Sequence, residues 1–449
     1  MTIPPRLDDL GLFTDLYELT MLQAYLAEGM TDTAVFTLFV RRLPAHRNFL
    51  IACGLEPLLT YLERLRFTDG DLEYLRSLRR FSDDFLAWLR TFRFSGDVYA
   101  VPEGTPIFAN EPILEIVAPI AEGQLVETLV MNQIHLQTVL ASKAARVVAA
   151  ARGRSVVDFG ARRTHGIDAA LHAARAFYVA GVDATSNVLA GSVYGVPVSG
   201  TMAHSYIQAH GDERHAFRAF ARAFPGTTLL VDTYETLHGV RHAIDLITGG
   251  EGIEIGAVRL DSGDLAALAR ETRRLLDAAG LRHVRIIASS GLDEHSIAAL
   301  LDEDAPIDGF GVGTGMSVSE DAPSLDIVYK LAEYGGHGRT KLSAHKGILP
   351  GRKQVFRQLG DGAESHDVIG RADEQLEGRK LLHAVMQGGR RTSGSERDLV
   401  SIRRYRADEI ARLPERVTAL APADPPYRVE VSAGLHAYHD HVRRQVTRG

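Results

Sequence analysis

The stretch AVRLDSGDLAALARETRRLLDAAG, residues 257–280, decides the reading of the fold. It opens on a short apolar run and breaks at Asp261-Ser262-Gly263-Asp264. It then continues with Leu265, Leu268, Leu275 and Leu276 at helical spacing. Asp264 stands where a helix N-cap belongs. The same grammar recurs in SVVDFG (155–160), TLLVDT (228–233), VRIIASS (284–290) and DGFGVGT (308–314). Each is a compact apolar run that ends in Asp, Ser or Gly, and helical segments separate several of them. Apolar strands alternating with helices predict parallel strands covered by helices, an α/β fold of the β/α-barrel kind. In such a barrel functional groups sit where strands end. Asp158, Asp232, Asp261, Ser289 and Gly311 all fall at such ends. Helix capping would account for any one of them; five together point to a shared rim.

Outward from this core the pattern changes. Residues 14–28 predict a helix, capped by Thr14 or Asp15, with Leu16, Leu19, Leu22, Tyr25 and Leu26 on one stripe. Residues 33–44 predict a strand, and helices follow at about 54–66, 69–79 and 83–92. Apolar runs broken by Pro and Gly at 97–117 predict a small β arrangement, and a long helix is expected from about 122 to 151. After 325 the β character returns in DIVYKLAEY (326–334), TKLSAH (340–345), RKQVFRQL (352–359) and KLLHAVMQ (380–387), and a last helix ends the chain. The expected organisation is therefore a discontinuous α/β domain made of residues 1–135 and 326–449, with the barrel at 136–325.

Composition narrows the function classes. The 449 residues carry a net charge of −7 with 45% hydrophobic residues, an ordinary globular balance that predicts no basic face for nucleic acid. The one cysteine, Cys53, has no partner for an internal disulfide, and no Cys/His cluster has zinc spacing, as expected of a cytoplasmic protein. MTIPPRLDDL lacks the pattern of a secretory signal, and no apolar run of about 18 residues predicts a membrane span.

Three regions carry chemistry. RLDSGDL (259–265) delivers Arg259 and Asp261 from one strand: a planar cationic fork for a carboxylate or phosphate, and a carboxylate for sugar hydroxyls or a cation. SSGLDEHS (289–296) and GFGVGTGMS (309–317) are successive turns whose backbone N–H groups suit a phosphate. DFGARRTHG (158–166) sets Phe159 beside Arg162, Arg163 and His165, able to hold a flat anionic ring or simply to start a salt-bridged helix. SGTMAHS (199–205) presents His204, which taken alone reads as one of 18 histidines.

Taken together, FTDLYELTM, FTLFVRRLP, DFGARRTHG, GVDATSNVLAG, GTMAHS, RLDSGDL, GVGTGMS, DIVYKLAEY and LPGRKQVFR resemble the nicotinate phosphoribosyltransferase family, of the type II phosphoribosyltransferases, over nearly the whole chain. The resemblance implies an irregular, TIM-like barrel of about seven strands packed on the discontinuous α/β domain. It implies a homodimer with shared active sites. It also implies the joining of nicotinate to phosphoribosyl pyrophosphate, with ATP as co-substrate and Mg²⁺ required. By the same resemblance His204 is the histidine transiently phosphorylated by ATP. Phe159 and Arg162 bracket the pyridine ring, and Tyr17 reaches it from the other subunit. Arg259 and Asp261 lie on the ring and ribose side, and Ser290, Gly291, Gly313 and Thr314 on the phosphate turns. Arg41, Arg42, Lys330 and Lys346 are looser phosphate candidates that read equally well as solvated surface.

Three alternatives stay open on sequence. A nicotinamide-using relative carries an Asp where this chain has Ser186-Asn187, within TSNVLAG (185–191). A quinolinate enzyme would need a denser basic pocket and a shorter chain. A non-catalytic metabolite-binding protein on the same fold is the third.

Overall fold

The computed structural model describes residues 10–342, 347–358 and 365–448. Its contacts divide the chain into two compact units, Met1–Val139 with Ser324–Gly449, and Leu140–Pro323.

In the first unit the two chain ends share one sheet. The strand Thr33–Val40 pairs antiparallel with Pro112–Pro119 on one side and Ile327–Tyr334 on the other. The full order is His337–Gly338, Ile327–Tyr334, Thr33–Val40, Pro112–Pro119, Asp97–Ala100, His383–Gln387 and Arg390–Arg391. Seven of the eight residues of Thr33–Val40 are buried, as a central strand requires. A second sheet holds Arg379–Lys380, Lys353–Gln358, His366–Arg371 and Val429–Val431. Its buried Arg357 bridges Asp367 through Nη2 at 2.6 Å and through Nε at 3.0 Å. Helices Leu55–Arg64, Asp69–Ser77 and Asp83–Thr91 form where helical spacing predicts them. Three expectations fail here in detail. Asp15 occupies the N-cap of Leu16–Ala27 but makes no capping bond, because its Oδ2 accepts from Thr128 Oγ1 at 2.7 Å. Of the expected apolar stripe, Leu19 and Leu22 are buried, whereas Leu16 is exposed beside exposed Phe13 and Tyr17. The stretch 340–345 forms no strand over 340–342, and residues 343–345 lie outside the described residues.

In the second unit six parallel strands make one sheet. Their order is Ala184–Thr185, Ser155–Asp158, Gly309–Val312, Arg285–Ala288, Ile255–Leu260 and Thr227–Leu230. Helices Ile167–Ala180, Glu213–Ala223, Thr236–Thr248, Leu265–Ala278 and Glu294–Asp302 alternate with these strands, which fixes the α/β class. Asp264 caps Leu265–Ala278, accepting from Ala267 N at 3.0 Å. The expected count of about seven strands becomes six. The segment beside Ala184–Thr185 makes a single bridge, Thr185 to Val198, and reaches Thr227–Leu230 through Thr201 Oγ1, which donates to Thr228 O at 2.5 Å. Pro197 has no N–H to give a ladder, so this segment stays irregular. Among the described residues, no helix is long and apolar enough to cross a membrane.

Candidate active site

Parallel register brings the strand ends of the second unit to one edge. Val312 lies opposite Asp158, Ala288 opposite both Leu260 and Phe310, and Leu230 opposite Arg259. The residues that follow each strand therefore emerge together. Of the five strand-end residues marked from sequence, several are spent on holding the main chain. Asp158 is buried; its Oδ1 accepts from Gly160 N at 2.7 Å and its Oδ2 from Thr185 Oγ1 at 2.7 Å. Burial raises its pKa against those two bonds. Asp232 is likewise buried, and its Oδ2 accepts from Asp261 N at 2.9 Å and Ser262 Oγ at 2.6 Å. Among the described residues its Oδ1 meets no donor. Asp261 keeps its carboxylate partly open and accepts from the buried Ser289 hydroxyl.

Phe159 owes its place to a glycine. A Cβ on Gly311 would fall 2.3 Å from Phe159 Cε2, so the ring lies where any side chain at 311 would stand. Phe159 N donates to Val312 O at 2.8 Å, which pins the backbone beside it. The Arg259 guanidinium lies over the same ring, with Cζ 5.6 Å from the centroid. That guanidinium is largely buried, 3.9 Å from Asp261 Oδ2, and its Nε has no acceptor among the described residues. Burial lowers its pKa; Asp261 and Asp232 oppose this, and nearby Arg162 adds to it. An aromatic face thus adjoins the Arg259 guanidinium, whose buried Nε–H is without an acceptor among the described residues. Such a pairing suits a flat ring that carries a carboxylate.

His204 opens the short helix His204–Gln208. Its Nδ1 lies 3.1 Å from Thr233 Oγ1, and its Nε2 lies 3.6 Å from Asp261 Oδ2. Thr233 was not marked from sequence; it sits beside Asp232, but its contact spans 29 residues and has no local signature. The two turns stand next to these groups in the sheet order. Ser290 has φ 104° and Gly291 φ 57°, a left-handed pair that exposes the main chain after Arg285–Ala288. Gly313 and exposed Thr314 follow Gly309–Val312. Among the described residues no group of three or more His, Cys, Asp or Glu is arranged to hold a metal ion.

Tyr17 belongs to the first unit. It lines an open recess of about 530 Å³ with Asp15, Glu127, Asn132 and His135, and burial with Glu127 and Glu18 beside it raises its pKa. Arg41 and Arg42 pair with Asp326 at 3.5 and 3.1 Å, and Lys330 with Glu127 at 3.6 Å. Lys346 lies outside the described residues.

Comparison with known proteins adds an independent finding. A family model described as the nicotinate phosphoribosyltransferase N-terminal domain matches residues 12–135, and one for the nicotinate phosphoribosyltransferase family matches residues 154–349. A nicotinate phosphoribosyltransferase of Mycobacterium tuberculosis is 56% identical over 94% of this chain and 91% of its own length. One of Bacillus subtilis is 42% identical over 84% of this chain and 79% of its own. The crystal structure of human nicotinic acid phosphoribosyltransferase superposes with a TM-score of 0.85 at 29% identity, covering 95% of this chain and 99% of that one.

Proposed function

The chain belongs to the nicotinate phosphoribosyltransferase family, and from that premise we propose a role for each group of the rim in joining nicotinate to phosphoribosyl pyrophosphate. The observation that carries the reading is the Arg259 guanidinium over the Phe159 ring, with Arg162 near enough to act on it electrostatically and the buried Arg259 Nε without an acceptor among the described residues. Nicotinate stacks on Phe159 and gives its carboxylate to the guanidinium groups. The donor's phosphates rest on Ser290, Gly291, Gly313 and Thr314, and its ribose hydroxyls face Asp261. The pyridine nitrogen then attacks the anomeric carbon as pyrophosphate leaves. The protein lowers the barrier by positioning and charge, and no general base is needed.

His204 is the proposed phosphoacceptor. With its Nδ1 proton donated to Thr233, Nε2 carries the lone pair that attacks the γ-phosphorus of ATP, forming the P–N bond as ADP leaves. The phosphoryl group brings about −1.5 to −2 charges to the neighbourhood of Asp261, whose Oδ2 is 3.6 Å from Nε2. Two anionic groups so close call for a cation between them. Mg²⁺ fits this donor set, because it is held by one or two carboxylates and by substrate phosphates rather than by an all-protein cage. Asp261 is the carboxylate that would hold it, and when bound the ion neutralises phosphate charge.

The position that decides between nicotinate and nicotinamide carries no carboxylate. Asn187 is occupied in capping Val188–Tyr194, accepting from Ala190 N at 3.2 Å and donating to Ala170 O at 3.3 Å. Nothing acidic at 186–187 repels an anionic ring. The proposed assembly is a homodimer in which Tyr17 of one copy completes the site of the other. Supporting it are exposed apolar residues next to the site, Ile167 at 73% and Val188 at 71%, together with Val193 and Val198. On the proposed partner helix Leu16 and Tyr17 are exposed as well, as is Phe13 just before it. A steady-state assay with nicotinate, nicotinamide and quinolinate, each with and without ATP, tests the reading. Nicotinate mononucleotide and pyrophosphate should form from nicotinate and rise with ATP; equal turnover of nicotinamide, or no ATP response, refutes it.

A further inference from the structure

Beneath the two phosphate turns lies a cluster of charges that the reaction itself does not use. Lys143 is 2% exposed in the second half of the helix Glu127–Ala150. Its Nζ lies 2.5 Å from Glu294 Oε2 and 2.8 Å from Asp321 Oδ1. Arg146, one turn further along, donates from Nε to Glu294 Oε1 at 2.9 Å. Glu294 is fully buried; burial alone would raise its carboxyl, and Lys143 and Arg146 outweigh that and hold it below the usual range.

The placement of the two carboxylates gives the cluster its meaning. Glu294 directly follows the N-cap Asp293, at the end of the turn that carries Ser290 and Gly291. Asp321 lies in the turn that follows the short helix Thr314–Ser317, which Gly313 opens. One ammonium group therefore ties down the far side of both turns. The turns also touch directly: a Cβ on Gly315 would lie 3.3 Å from Leu292 O and 3.5 Å from Asp293 Cβ. Two cations and two anions make the cluster electrically neutral, so it brings no net charge to the rim. Its effect is geometric.

We propose that Lys143 is a positioning residue for the phosphate-bearing substrate: through Glu294 and Asp321 it fixes the spacing of the two turns that receive the donor's phosphates. This rests on the assignment of those turns to the donor. A buried, fully ion-paired lysine is costly to place and costly to break. Here it sits where a small shift would misalign several backbone N–H groups at once.

The test compares the full-length enzyme with K143M, K143R and D321N, measuring KM for phosphoribosyl pyrophosphate and for nicotinate, kcat, and melting temperature. K143M should raise the donor KM about tenfold and leave the nicotinate KM within about twofold, and K143R should recover part of the loss. D321N keeps the Lys143–Glu294 pair and touches a residue that is 29% exposed, so it should fold and raise the donor KM about threefold. If K143M does not fold, D321N and K143R decide. A wild-type donor KM in D321N overturns the proposal. So does a parallel rise in both KM values, which marks general loosening. G291V, placed on the turn itself, separates the two levels. If its donor KM is normal, the assignment of the turn to the donor fails. If it loses the donor while D321N and K143M do not, the tether alone fails.

Discussion

Replacing Gly311 with alanine tests the proposed ring site at a single methyl group. The new Cβ would sit 2.3 Å from Phe159 Cε2, whereas carbon atoms in contact settle at about 3.5–4.0 Å. The ring must therefore retreat by more than about 1 Å, and Phe159 N, bonded to Val312 O, limits how far the backbone can follow. Overpacking of this kind costs about 1–3 kcal/mol of stability. An aromatic contact misplaced by that distance forfeits about 0.5–1.5 kcal/mol of binding, which is about a 2- to 12-fold rise in KM. Steady-state kinetics on purified G311A should show that rise for nicotinate, with the donor KM changed less than twofold. A nicotinate KM equal to wild type, in protein shown by its melting temperature to have taken the strain, would refute the placement of the pyridine ring on Phe159.

Other variants probe the remaining groups. Arg259→Met should raise the nicotinate KM about 10- to 150-fold, the range for a lost charge-assisted hydrogen bond of about 1.5–3 kcal/mol; measuring the same variant with a ring that lacks the carboxylate should show little further loss. His204→Ala should abolish incorporation of label from γ-labelled ATP and remove the stimulation of turnover by ATP, while Thr233→Val should slow labelling without abolishing it. His172 supplies a pH signature of stability. Burial, aided by Arg175, pushes its pKa down to about 4 from 6.5, so the folded protein favours the neutral ring. That stability is complete above pH 6.5 and falls away as the pH drops toward 4, by about 3 kcal/mol. Urea unfolding at pH 7.5 and 5 should show the loss, and His172→Gln should flatten it.

What could be read from the sequence divides along physical lines. Apolar runs that end in Asp261 or Ser289 announce parallel strands, because a strand buried on both faces needs an unbroken apolar run. Asp264 was legible as a cap because capping is local and needs a few consecutive residues. The irregular segment at 196–201 was not, since a sheet edge that closes through one bridge and one threonine hydroxyl leaves no periodic pattern. Leu16 shows the limit of amphipathic spacing: the stripe identifies apolar positions, not which of them this chain itself covers. Thr233 and Lys143 were missed for one reason. Their roles lie in contacts across many residues, and a lysine inside a helical pattern reads as solvated until its carboxylate partners are seen beside it.

The most direct measurement is a crystal structure of the enzyme with nicotinate mononucleotide bound. The pyridine should lie against Phe159 with its carboxylate on Arg259 and Arg162, the ribose beside Asp261, and the phosphate on the turns at Ser290–Gly291 and Gly313–Thr314. A product bound with its ring away from Phe159 and its phosphate away from both turns would contradict the assignment of this rim as the site of transfer.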